Sequence, residues 1–379
     1  MYRHSRTIVD MKLLIDRYIF KEWLKVLCIT MMLILGILML EDMYRNLKTF
    51  LEHGASFGTL LLYYSYVIPN CLCTVLPISF FISVLYLLND MQAHNEVVAL
   101  RASGMTVFQI TRSLWIAAVM LMFFMGIFNA YVLPYASDKM QSIFQKIEYD
   151  YQIKRGGSRE QLGMQWHLCL HNEKAGHLWH IRTFSLYTLR GDHVTLSLTE
   201  NGHEVERIEA KNVAYEAGKW KFYKGRRWLF SQEAFVPKRF IPFENWKLEC
   251  EETPQLMSYL YKPVKYLGAG ELKRIIAFVP EDNPRFLEHR IKYFSILSSP
   301  LICLMVVLLA IPFSLSGVRT NPMVGVSKAA SLFFVYYVVG SIGKMLGTQN
   351  TLSPWVAAWF PNLFMLILGV GLYRKLAPK

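Results

Sequence analysis

The sequence predicts an α-helical membrane protein with six transmembrane helices and an inserted extracytoplasmic β-jelly-roll domain. Three observations predict it. Apolar residues make up 53% of the 379 and gather in two blocks, roughly 23–133 and 293–373. Between the blocks lies a polar stretch whose hydrophobic period is that of strands. Much of the basic excess stands beside the apolar segments.

A bilayer core needs about 20 mostly apolar residues per helix. Six segments qualify: roughly 23–42, 60–88, 109–133, 293–316, 325–346 and 353–373. Lipid offers no partner to free backbone groups, so each is expected as a helix. The first segment starts after about 22 residues and is followed by LEDMYRNLK, with no small-residue cleavage site; it reads as a retained span. Pro69 and Pro77 inside span two, and Pro312 near the end of span four, are expected to kink their helices.

Net charge is +13. Arg3, Arg6, Lys12, Arg17 and Lys21 precede span one, and Arg374, Lys375 and Lys379 follow span six. Arg101 and Arg112 lie between spans two and three, Arg319 and Lys328 between four and five. The loop GTQNTLSP between spans five and six carries no charge, and the first loop is mixed, with Arg45 and Lys48 against Glu41, Asp42 and Glu52. The positive-inside bias therefore puts both termini in the cytoplasm and the insert outside it. A basic balance of this kind belongs to the membrane, so no nucleic-acid partner is expected. The expected layout is residues 1–133 for the amino terminus and spans one to three, 134–290 for the insert with its linkers, and 291–379 for spans four to six.

In the insert, MQWHLCLH (164–171) and VTLSL (194–198) alternate, and WKFYKGRRWLF (220–230) reads as two short strands around a turn. With RGDH and NGHE read as turns, this spacing predicts an antiparallel sandwich or jelly-roll. Residues 254–275 read as helical and polar. His167, Cys169 and His171 share one strand face, with His177 and His180 nearby. Such a set could hold zinc, but without tight ligand spacing we read it as a polar outer face; no metal and no cofactor are expected. Cys169 and Cys250 fall in a compartment that permits a disulfide, whereas Cys28, Cys71, Cys73 and Cys303 read as small core residues.

The stretch NEVVALRASGMT (95–106) separates two long apolar segments. Asn95 suits an N-cap, Glu96 the first turn and Gly104 the C′ position, giving a helix within 95–104. Val97, Leu100 and Arg101 share a face. A helix this short does not hold in water by itself. It either docks on a partner or is an ordinary re-entry turn.

Four stretches in order resemble the lipopolysaccharide-export permease family, LptF/LptG (YjgP/YjgQ): LLIDRYIFKEWL (13–24), NEVVALRASGMT, SSPLICLMVVLLAIPFSL (298–315) and SPWVAAWFPNLFMLILGVGLY (353–373). The resemblance covers nearly the whole chain and includes a jelly-roll between spans three and four. It implies a permease subunit of an ABC-type exporter in the bacterial inner membrane, which extracts lipopolysaccharide and passes it to a periplasmic bridge. It implies that Glu96, Val97, Leu100, Arg101 and Gly104 form a coupling helix seated on an LptB-type ATPase dimer. A second LptF/LptG-type permease and periplasmic LptC/LptA-type jelly-roll proteins are the other partners it implies. No GxxxxGK[ST] loop occurs in the chain, so ATP hydrolysis is expected in another chain and no catalytic residue here. In the family, spans one and five form a lateral gate. Arg45 and Lys48 near the outer end of span one, and Lys344 near that of span five, are thus candidates for binding lipid phosphates. Snorkelling cations that anchor helix ends are the plainer reading of the same three. The residues alone leave open a permease for another lipid or lipoprotein, and a membrane-anchored enzyme with its site in the insert.

Overall fold

The computed structural model describes residues 2–155, 164–172, 175–185, 188–200, 203–231, 234–279, 284–315 and 322–376. Arg319 and Lys379, counted above among the basic residues, and the first half of the NGHE turn lie outside these residues. Helices α1 (Tyr2–Glu52), α2 (Phe57–Ala93), α3 (Glu96–Ala102) and α4 (Val107–Ile127) come first. A π-helical turn (Phe128–Val132) then joins α4 to α5 (Leu133–Lys154). Six strands follow: β1 (Met164–Asn172), β2 (His177–Ser185), β3 (Arg190–Glu200), β4 (His203–Glu216), β5 (Lys219–Ser231) and β6 (Ala234–Leu248). The chain closes with α6 (Pro254–Tyr261), α7 (Ala269–Phe278), α8 (Pro284–Ser298), a 3₁₀ turn (Ser299–Leu301), α9 (Ile302–Leu315), α10 (Pro322–Thr348) and α11 (Pro354–Leu376).

Among the described residues, six helical stretches are long and apolar enough to cross a membrane. They overrun the apolar windows at several ends. The third runs over Val107–Lys154 and the fourth starts at Arg285, because amphipathic ends continue the helix beyond the lipid-like core. The chain divides into two compact units, one of residues 1–49, 57–140 and 291–379, the other of residues 50–56 and 141–290.

The first unit is built around α9, whose residues Cys303, Val306, Val307 and Ile311 are buried among Trp23 of α1, Phe80 and Val84 of α2, and Ile110 and Leu114 of α4. Pro69 and Pro77 do sit inside α2, and Pro312 inside α9. Several polar side chains within these helices pair with one another, which suits a surrounding of lipid. Trp23 Nε1 donates to Ser83 Oγ at 3.0 Å, and Ser137 Oγ to Asn70 Oδ1 at 2.6 Å. Asn129, in the π turn, accepts from Cys73 Sγ at 2.9 Å and donates to Ser299 Oγ at 3.1 Å.

The second unit holds a single antiparallel sheet with its strands in sequential order, β1 to β6. This is a meander; the crossover order of a jelly-roll is not seen among the described residues. Residues 220–230 also differ from expectation. They form one strand, not two, because β4 and β6 pair along it on both sides at unbroken register through Tyr223 and Gly225. The Lys224–Gly225 pair that suggested a turn is a local kink: Lys224 has φ +51°. A side chain at Gly225 would strike the Glu209 carbonyl and the Phe243 ring, so only glycine fits. RGDH likewise lies inside β3, its Gly191 packed against Phe184 and the Thr183 carbonyl.

Neighbouring strands sit about 4.8 Å apart, so in a flat sheet β2 and β5 would be separated by about 14 Å. Yet the rings of Trp179 on β2 and Trp220 on β5 are 5.0 Å apart, and Phe184 and Trp220 are 5.8 Å apart. The sheet therefore folds over on its own inner face. Trp179, Phe184, Trp220 and Phe222 fill that interior, all fully buried, and Leu256 and Met257 of α6 close against them.

Candidate functional site

Two constellations in the first unit bear on function. The first is α3. Val97 is buried in the membrane-unit core, and Leu100 packs partly buried against it. These two residues fasten the helix to its own bundle. They do not point outward together with Arg101, as their shared face alone suggested. The exposed residues are Val98, Ala99, Arg101 and Ala102. Glu96 is half-buried, its carboxylate accepting from Tyr18 Oη at 3.4 Å.

Both ends of α3 are defined by backbone geometry. Asn95 stands at the N-cap but with φ +59° and no side-chain cap bond, so its role is a left-handed corner, not the acceptor expected. At the other end Gly104 has φ +89° and donates to the Arg101 carbonyl at 3.0 Å, while Met105 donates to the Leu100 carbonyl at 3.2 Å. That pair of bonds is a Schellman motif with Gly104 at C′. Two residues later Thr106 caps α4 reciprocally with Gln109. The link from α3 into α4 is thus hydrogen-bonded at every step, which makes it stiff.

The second constellation surrounds Lys344. A cavity of about 230 Å³ is lined by Lys344 and Ser341 of α10, Cys73 and Thr74 of α2, and Ser295 and Ser299 at the α8–α9 junction. The buried Ser295 Oγ has no hydrogen-bond partner. Lys292 of α8 lies within electrostatic reach of both Lys344 and Cys73. Lys292, one residue before the expected start of span four, lies inside α8. Arg45, by contrast, pairs with Glu41 at 2.5 Å, and both are exposed. Lys48 is also exposed, three residues further along α1.

The helices that carry Arg45, Lys48 and Lys344 share a property invisible in the sequence. Only 11% of the apolar window of span one, and 11% of span five, is buried within the chain, against 61% for spans two and four. Ile29, Met32 and Leu33 on α1, and Phe334 and Met345 on α10, are exposed apolar side chains.

In the second unit the histidines separate. His167, His171 and His180 face outward with Cys169, whereas His177 turns to Glu252 at 3.0 Å. Cys169 and Cys250 are not joined by a disulfide; Cys169 is exposed and Cys250 packs against the inner cluster. Burial raises both thiols, Cys250 to about 12 with help from the Glu252 carboxylate.

The chain's comparison with curated proteins gave no match. The family described as lipopolysaccharide export system permease LptF/LptG matches residues 17–375. That span takes in all six membrane helices, the inserted sheet and both constellations around α3 and Lys344. With nearly its whole length matched, the chain belongs to the LptF/LptG family of lipopolysaccharide export permeases, multi-pass proteins of the inner membrane.

Proposed function

We propose that this chain is one of two permease subunits of an ABC-type exporter, and that it couples ATP hydrolysis in a separate cytoplasmic ATPase to the extraction of lipopolysaccharide. Both termini and α3 face the cytoplasm, and the folded meander stands in the periplasm as the counterpart of the family's jelly-roll. The observation that carries the coupling role is α3 itself. A helix of two turns, fastened from behind by Val97 and Leu100 and stopped by Gly104, offers Val98, Arg101 and Ala102 to a partner. Force applied there passes through a hydrogen-bonded link into α4.

The apolar outer faces of spans one and five favour a lateral opening formed with the second permease. Lipid A phosphates would meet Lys344 and Lys292 there, with the hydroxyls of Ser295, Ser299 and Ser341 close by. Arg45 is a weaker candidate because Glu41 already neutralises it. From the opening the lipid passes by way of the periplasmic domain to LptC- and LptA-type proteins.

Replacing Arg101 with Glu tests the coupling role. The side chain is exposed, so the variant should insert and accumulate like the parent. It should recover several-fold less ATPase on affinity purification and fail to support lipopolysaccharide export. Parental recovery of ATPase together with parental export would remove α3 as the coupling element.

A further inference from the structure

The six strands form one continuous ladder, so β1 and β6 are its two edges and no ladder bond joins them. The side chain of Glu252 ties the two ends of the meander together. Glu252, just beyond β6, is fully buried. Its Oε1 accepts from Asn172 Nδ2 at 2.6 Å and meets His177 Nδ1 at 3.0 Å. Its backbone carbonyl accepts from Trp220 Nε1 at 2.6 Å. Asn172 ends β1, His177 begins β2 and Trp220 lies near the start of β5. The exit from the last strand is therefore bound to the first hairpin, across a sheet in which they are not neighbours.

This closure is not the arrangement that would maximise stability. Trp179 Nε1 in the interior is buried without a hydrogen-bond partner, and Glu252 Oε2 has none beyond the weak Cys250 thiol. A buried polar atom left unpaired costs on the order of 1–3 kcal/mol, and an apolar contact of the same shape would avoid that. Both atoms would gain partners if water or a polar headgroup reached them. Directly after Glu252, α6 places Leu256 and Met257 over the aromatic interior. The hydrogen bonds and the helix thus act at one place, the point where the folded sheet is closed.

We propose that Glu252 is a clasp that holds the meander shut over its aromatic interior, with α6 as the stopper, and that its release opens the interior to the acyl chains of a lipid in transit. The proposal rests on the permease reading above. It assigns Glu252, Asn172 and His177 a positioning role, with no contact to lipid required of them.

The test uses the assembled exporter in vesicles containing lipopolysaccharide, with a periplasmic acceptor protein outside. In a Cys28→Ser, Cys169→Ser, Cys250→Ser background, Asn172→Cys and Glu252→Cys are introduced together and joined by a short bis-methanethiosulfonate cross-linker that a reductant removes. Cross-linking should lower lipid delivery at least tenfold while ATP hydrolysis continues, and reduction should restore delivery. Delivery at the uncross-linked rate would overturn the clasp. A second variant guards against a misfolded pair. Asn172→Asp, in a chain that retains Cys250, sets two carboxylates against each other and should raise maleimide labelling of Cys250 several-fold. Labelling at the parental rate would equally overturn the proposal. A parent exporter, with none of these substitutions, that delivers no lipopolysaccharide would sink the permease reading instead, and the Cys250 labelling would still report on the clasp.

Discussion

At the scale of single residues, the Glu252 carboxyl carries the clearest electrostatic signature outside the membrane spans. Burial alone would raise it, but the hydrogen bonds from His177 and Asn172 outweigh burial and bring it from the usual 4.5 down to about 2. A depressed carboxylate contributes stability above its unfolded value, and that stability is lost as pH falls through the folded one. The window here runs from about 4.5 down to about 2, and the contribution at neutral pH is on the order of 3 kcal/mol. Unfolding of the purified protein should therefore ease as pH drops below about 4.5. Glu252→Gln should flatten that dependence, read as thermal midpoints or as hydrogen exchange of β1 and β2 amides. Equal pH dependence in parent and variant would show that Glu252 is not the group responsible. Gly104 and Gly225 illustrate two different uses of glycine. The first supplies a positive φ at a helix stop, the second the absence of a side chain where two strands and a phenylalanine ring crowd the backbone.

At the scale of elements, the turn between α4 and α5 shows how an irregular helix serves packing. The π turn over Phe128–Val132 directs Asn129 inward, where it is bonded to α2 through Cys73 and to the 3₁₀ turn through Ser299. Hydrogen bonds between membrane helices average about 0.6 kcal/mol each. Asn129→Ala should thus lower stability by about 1 kcal/mol, measured as the unfolding midpoint in detergent, without changing the span count. An unchanged midpoint would mean that neighbouring hydroxyls re-pair freely. Amphipathic reading of α3 found its length and its stop correctly. It could not tell which face was inward, because Val97, Leu100 and Arg101 sit on one side of an ideal helix whereas the bundle covers only the first two.

At the scale of the whole molecule, the distribution of buried surface separates spans that build the core from spans that face lipid or a partner. Spans two and four are core; one and five are mostly bare. If lipid enters beside them, Lys344 at the polar cavity and Lys292 within its electrostatic reach should outweigh the cations on α1. Lys292→Ala with Lys344→Ala should cut photo-crosslinking of lipopolysaccharide to positions beside the cavity by about tenfold or more. Arg45→Ala with Lys48→Ala should change it only a few-fold, since exposed ion pairs are worth about 1 kcal/mol or less. Equal effects of the two pairs would remove the cavity from the lipid path. Unchanged crosslinks in both would assign lipid capture to apolar packing.

Taken alone, the amino-acid sequence determined the number of spans, the existence of a β insert between spans three and four, the stop at Gly104 and the family. Each of these follows from local facts: apolar runs as long as a bilayer is thick, alternation of period two, and a glycine where a helix ends. The tertiary structure decided the rest. It made 220–230 one strand, because pairing on both sides overrides a Lys-Gly pair that locally suggests a turn. It brought Lys292 within electrostatic reach of Lys344 although 51 intervening residues separate them, and Glu252 beside Asn172 across the sheet. Such pairings depend on how whole elements pack, and no periodicity within one element encodes them.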